Sequence, residues 1–121
     1  MAQRVLIVDD SNSMRQMIRF TLEEEGYQVE EAVNGLDGTK KLDAFKPELI
    51  ITDIHMPEMN GIDFIIHTRQ QGDHKFTPII VLTTESENEM QEKGKQAGAT
   101  AWLVKPFSPE VLVETVKKVA G

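Results

Sequence analysis

Residues 48–61 read ELIITDIHMPEMNG. The run Leu49-Ile50-Ile51-Thr52 is apolar and largely β-branched without alternation, the pattern of a strand covered on both faces. It delivers one carboxylate, Asp53, and then gives way to His55, Met56, Pro57, Glu58, Met59, Asn60 and Gly61, a loop rich in turn formers. A buried strand that ends on an acid and turns away decides the fold once its neighbours are read the same way.

Similar short runs recur at 4–8 (RVLIV), 28–31 (QVEE), 79–83 (IIVLT) and 101–104 (AWLV). Amphipathic segments lie between them. In SNSMRQMIRFTLEEEG, residues 11–26, Met14, Met17, Ile18 and Leu22 fall at helical spacing; Ser13 and Gln16 can form a capping box, and Gly26 is placed to end the helix. A second helix is predicted over 36–45, stopped before Pro47, and Ile62, Ile65, Ile66 and Arg69 mark a third. Residues 88–97 form a polar fourth, closed by Gly98. Ser108-Pro109-Glu110 opens a fifth, with Leu112, Val116 and Val119 inward. Strand and helix thus alternate throughout, with no long linker, repeat or low-complexity tract. Such alternation predicts one doubly wound α/β domain over 1–121, built on a five-stranded parallel sheet with right-handed crossovers. Glu30 and Glu31 favour a place near the sheet edge for the second strand.

Composition bounds the function. At 121 residues the chain suits a single core. A net charge of −7 argues against nonspecific binding to nucleic acid or acidic membranes. The absence of cysteine excludes disulfides and thiolate metal sites and suits a reducing cytoplasm. No stretch approaches the ~18 apolar residues of a membrane span, and MAQRVLIVDD meets its aspartates too soon for a signal peptide.

In open α/β sheets, ligands bind beyond the carboxyl ends of the strands. Those ends carry Asp9-Asp10, Asp53, Thr83-Thr84 and Lys105-Pro106. Two carboxylates ~4 Å apart repel by roughly 4 kcal/mol at an effective dielectric of ~20. A third makes the case for a cation beyond Lys105, and hard oxygen ligands with open positions suit Mg²⁺. Taken alone, Asp9 and Asp10 read equally well as acids at a helix start; their convergence with Asp53 and Lys105 is what points to a site.

VDD after the first strand, DIHMPEMNG after the third, LTT at the fourth and KPF after the fifth together resemble the response-regulator receiver family, in its single-domain chemotaxis-type form. The resemblance covers essentially the whole chain and implies the flavodoxin-like strand order 2-1-3-4-5 with no output domain. It implies that Asp53 is the phosphoacceptor and that Asp10, Asp53 and the His55 backbone carbonyl are Mg²⁺ ligands, with Asp9 acting mainly through water. By the same resemblance, Lys105 and the Thr83 hydroxyl bind the phosphoryl group, as do the backbone N–H groups of Ile54 and Thr84. Lys105–Pro106 is a cis peptide in many relatives. The resemblance further implies that Glu85 tunes dephosphorylation together with His55, which by itself reads first as a solvated loop histidine, and that Trp102 occupies the place of a rotating switch aromatic, usually Tyr or Phe, that moves inward when Thr83 moves; otherwise Trp102 reads as a half-buried surface aromatic.

The partners so implied are a histidine kinase as phosphodonor and a protein target bound by the phosphorylated monomer. For that target the flagellar motor switch is the leading choice, engaged through 87–95, Trp102 and 107–113. An enzymatic alternative, a Mg²⁺-dependent phosphohydrolase working through an aspartyl phosphate, fits less well. Such enzymes commonly place a second acid two residues after the nucleophile, where this chain has His55, and little chain remains for a substrate cap. A nucleotide or flavin site fares worse, because DDSNS follows the first strand without a glycine-rich loop or Walker lysine. His67 and His74 lack metal-ligand spacing, Met14 and Met17 read as core filling, and Glu23-Glu24-Glu25 reads as a solvated helix end.

Overall fold

The computed structural model describes residues 3–56, 58–84 and 88–120, with side chains at 88–90 excepted. The strands are β1 (Arg4–Val8), β2 (Gln28–Ala32), β3 (Leu49–Asp53), β4 (Ile79–Thr83) and β5 (Ala101–Val104). They form one parallel sheet in the order β2-β1-β3-β4-β5. The helices that follow them in turn are α1 (Asn12–Glu24), α2 (Gly35–Phe45), α3 (Gly61–Gln70), α4 (Asn88–Ala97) and α5 (Pro109–Ala120). A 3-10 turn, Gly72–His74, precedes β4. The order and the parallel pairing are those expected from the sequence. Among the described residues, no helix is long and apolar enough to cross a membrane.

β3 and β4 lie inside the sheet, and every one of their residues is buried, which explains their unbroken apolar runs. On one face Ile7, Ile51 and Leu82 pack with Ile18 and Leu22 of α1 and Leu112 and Val116 of α5. On the other, Leu6, Ile50 and Val81 pack with Leu42 of α2 and Phe64 and Ile65 of α3. Each such side chain contributes about 1.5–3 kcal/mol by leaving water. This two-sided core fixes the strand tips that carry the site.

Local starts and stops follow the side-chain chemistry, with one correction. α1 is capped by Ser11, whose Oγ accepts from the Met14 N–H at 3.3 Å, so the expected Ser13–Gln16 capping box does not form; Ser13 already lies inside the helix. The displacement arises because the Ser11 N–H is drawn back to Asp9 Oδ1 at 2.8 Å, which starts the helix directly behind the acidic pair. At the other end, Tyr27 N–H reaches the Leu22 carbonyl and Gly26 N–H that of Glu23, with Gly26 at φ +93°. That pairing is the glycine-terminated Schellman stop. α5 begins as expected, with Ser108 Oγ accepting from Val111 N–H at 3.2 Å. α3 turns Phe64, Ile65 and Thr68 inward, while Ile66 faces solvent.

β2 is an edge strand, and its two glutamates have partners. Glu31 takes Arg15 Nε at 3.0 Å and Arg19 Nη1 at 2.7 Å, while Glu30 lies 3.9 Å from Lys41. The two guanidinium bonds outweigh burial and hold the Glu31 carboxyl below its usual range. Its edge position therefore has a physical reason: these side chains leave the core and meet cations on α1 and α2.

Candidate functional site

The carboxyl ends of β1 and β3, which are neighbours in the sheet, bring Asp9, Asp10 and Asp53 together. A ligand oxygen from each lies within 4.8 Å of the others. Asp9 is fully buried and Asp53 nearly so, whereas Asp10 is exposed. Lys105 reaches in from the loop after β5, its Nζ 3.3 Å from Asp9 Oδ2 and 3.2 Å from Asp53 Oδ2. The lysine's own N–H donates to the Thr83 carbonyl at 2.7 Å, so β4 and β5 jointly aim it. The Lys105–Pro106 peptide is cis.

Each acid is held differently. Asp53 Oδ1 accepts the Ile54 N–H at 2.8 Å, leaving Oδ2 toward Lys105. Asp9 Oδ1 accepts the Ser11 N–H, and Oδ2 faces Lys105. Burial pushes the Asp9 carboxyl up, and neither the Ser11 bond nor Lys105 fully offsets it. Burial alone would lower the Lys105 ammonium, but Asp9 and Asp53 outweigh it and raise it above the ordinary lysine value. A rim with a surplus of negative charge and one exposed carboxylate has the donor chemistry of a hard-cation site.

Thr83 is buried at the tip of β4, and Thr84 is exposed just beyond it. Ile54 is buried behind Asp53, while His55 projects into the exposed loop. Glu85 lies outside the described residues, as does Glu87, the first residue of the expected target surface. Trp102 is half-buried on β5, packed at the margin of the core that α3 and α4 cover. Its indole Nε1 is buried with no hydrogen-bond partner among the described residues. His67 pairs with Gln71 one turn on, His74 Nδ1 lies 2.9 Å from Thr77 Oγ1, and among the described residues neither histidine belongs to a metal-ligand cluster.

Three contributions were not read from the sequence. Gly61 lets the backbone pass so close to Asp53 that an added Cβ would stand 2.0 Å from the Asp53 carbonyl oxygen. Gly94 does the same for Trp102, whose Cη2 would lie 2.4 Å from such a Cβ. Arg15, nearly buried, donates Nη1 to the Asp9 carbonyl at 2.5 Å. Only Arg15 left a signal: with Ile18 and Leu22 it falls on the inward stripe of α1, where a charge is out of place.

The family model described as the response regulator receiver domain matches residues 5–117. The chain belongs to the response-regulator receiver family. It is 42% identical to the chemotaxis protein CheY1 of Helicobacter pylori, over 98% of this chain and 97% of that one. The structure of the chemotaxis protein CheY4 of Vibrio cholerae superposes with a TM-score of 0.95 at 46% identity, covering 98% of this chain and 99% of that one. The receiver domain of a sensor histidine kinase from Pseudomonas aeruginosa, solved with a magnesium ion in its active-site cleft, superposes with a TM-score of 0.91 at 26% identity, over 100% and 99% of the two chains. The fold and its connectivity are those of receiver domains.

Proposed function

We propose that this receiver is a phosphorylation switch in which Asp53 takes a phosphoryl group from the phosphohistidine of a histidine kinase. The observation that carries the reading is the Lys105 ammonium placed 3.2 Å from Asp53 Oδ2 and 3.3 Å from Asp9 Oδ2, inside a cluster of three acids. In the transfer, an Asp53 carboxylate oxygen forms a bond to phosphorus as the phosphorus–nitrogen bond breaks. The electron pair of that bond leaves on the imidazole nitrogen. Positioning and charge neutralisation dominate such transfers. Lys105 supplies a fixed cation, while the Thr83 hydroxyl and the backbone N–H groups of Ile54 and Thr84 serve as phosphoryl donors.

Asp10, Asp53 and the His55 carbonyl would hold Mg²⁺, with Asp9 acting through water. Bound there, the ion would neutralise charge on the transferring phosphoryl oxygens. The fit rests on the exposed Asp10, which has no cationic partner among the described residues, beside two acids that share one lysine. His55 and Glu85 tune the lifetime of the phosphoryl group. Self-phosphorylation and self-dephosphorylation are the chain's own chemistry, so it is a switch rather than a turnover enzyme.

Similarity to chemotaxis proteins supports a cytoplasmic role in chemotaxis, with the phosphorylated monomer binding a motor-switch target through 87–95, Trp102 and 107–113. Incubation with acetyl phosphate and Mg²⁺ tests the reading by intact-mass measurement. One phosphoryl group per chain, absent from Asp53→Asn and without Mg²⁺, is the expected result. Rapid multiple turnover would favour the phosphohydrolase instead, and no labelling would leave an inert binding module.

A further inference from the structure

Among the described residues, the Asp10 side chain makes no hydrogen bond, so its placement depends on the backbone that leads to it. That backbone is gripped at the preceding residue. The Asp9 N–H donates to the Ala32 carbonyl at 3.1 Å, and the Asp9 carbonyl accepts Arg15 Nη1 at 2.5 Å. The Asp9 carbonyl belongs to the peptide unit that joins Asp9 to Asp10, so this bond fixes the plane from which Asp10 projects.

Arg15 is itself immobilised. Its Nε donates to Glu31 Oε1 at 3.0 Å and its Nη2 to Asn12 Oδ1 at 3.2 Å, so the guanidinium fork is engaged in three directions. Glu31 is steadied by Arg19 at 2.7 Å, and Lys41 donates to the Glu31 backbone carbonyl. The Arg15 charge is met by Glu31, so what Arg15 offers Asp9 is a directed donor. A lysine, with a compact ammonium on a flexible stem, cannot meet three separated acceptors in fixed geometry.

We propose that Arg15 is a positioning residue for the acidic cluster: anchored by Glu31 on the edge strand, it locks the Asp9–Asp10 peptide so that Asp10 faces a divalent cation. The proposal rests on the Mg²⁺ reading above and extends it to a residue that touches neither cation nor phosphoryl group. It also gives the two-sided pairing of Glu31 a function beyond closing the sheet edge.

Mg²⁺ titration by calorimetry, on proteins shown by circular dichroism to be folded at the working temperature, tests it. The parent is expected to bind one Mg²⁺. Arg15→Gln should weaken binding about tenfold, and Glu31→Gln, which removes the charge that anchors Arg15 without touching the site, about threefold. Arg15→Lys should fall between parent and Arg15→Gln. Arg19→Ala, which removes only the outer half of the Glu31 pairing, should bind like the parent while losing some thermal stability. If Arg15→Gln does not fold, Glu31→Gln decides. Parent-like affinity in the deciding variant overturns the positioning role, as does parent-like affinity in Arg15→Lys or weakening in Arg19→Ala that tracks stability alone. A parent that binds no Mg²⁺ overturns the metal reading itself, and the proposal with it.

Discussion

Lys105 Nζ lies 3.2 Å from Asp53 Oδ2 and ties the loop after β5 to the tip of β3. The ammonium is largely enclosed, and Asp9 and Asp53 outweigh its burial to raise it above the ordinary lysine value. Its stabilising contribution is therefore complete at neutral pH and is lost only as pH rises through that raised value. Lys105→Gln leaves two enclosed carboxylates without their cation. It should cost roughly 1–3 kcal/mol at pH 7 by urea unfolding, with the cost shrinking in acid as the Asp9 carboxyl, whose pKa burial raises, takes up its proton. Acetyl phosphate labelling should slow at least about tenfold. A variant that matches the parent in both would remove Lys105 from the site's electrostatics.

Asp9 runs the other way. Burial raises its folded-state pKa, so the ionised form is a burden on the fold. Stability assignable to this group is complete below the ordinary carboxylate value and is lost as pH rises through the folded one. Asp9→Asn keeps an acceptor for the Ser11 N–H while removing the charge. It should be more stable than the parent at pH 7, a gap that closes as pH falls to the ordinary carboxylate value, and should bind Mg²⁺ more weakly. Equal or lower stability of the variant at pH 7, in parallel urea curves at the two pH values, would contradict this account.

The fold was legible because parallel strands buried on both faces have an unmistakable texture: LIIT and IIVLT alternate with nothing, and the helices between them carry clear stops. The acids and Lys105 were legible because strand ends converge by topology alone. What escaped depended on close approaches between residues six to eight positions apart, where the chain leaves one element for the next and no helix or strand period fixes the distance. Nothing near Gly61 in sequence reveals that its neighbour across the turn is the Asp53 carbonyl, or that Gly94 sits under Trp102. The Ser13–Gln16 reading failed for a related reason. A local capping pattern lost to Ser11, which Asp9 had already turned toward the helix.

Gly61→Ala should be severe. The added Cβ would meet backbone atoms, the Asp53 carbonyl oxygen at 2.0 Å and Ile54 Cα at 2.8 Å, and backbone cannot swing aside as a flexible side chain can. The expected loss is about 3 kcal/mol or more by urea unfolding, with labelling of Asp53 strongly reduced because its carbonyl is displaced. Gly72 is the matched control: nothing lies within 4 Å of a Cβ there, and its φ is not left-handed. Gly72→Ala should change stability by no more than about 0.5–1 kcal/mol, toward greater stability. Similar losses at the two positions would mean that the close approach at Gly61 is not what the fold depends on.

Gly94 and Trp102 should be coupled strongly enough to reverse the sign of a substitution. On the helix alone, Gly94→Ala gains about 1 kcal/mol of helix propensity. Against Trp102 it loses more than that, because the new methyl would lie 2.4 Å from Cη2 and 3.0 Å from Cζ3, atoms of the indole's outer ring. In the parent background, Gly94→Ala should therefore destabilise by about 1–2 kcal/mol. It should also push the sole tryptophan toward water, shifting its emission to the red and raising quenching by acrylamide. In a Trp102→Phe background the outer ring is gone, and the same Gly94→Ala change should stabilise. Trp102→Phe by itself should cost less than its lost area suggests, since it also removes a buried Nε1–H that has no partner among the described residues. A double-mutant cycle by urea unfolding reads the coupling directly. Additive effects, or an unshifted emission spectrum in Gly94→Ala, would show that Trp102 does not rest against α4 in solution.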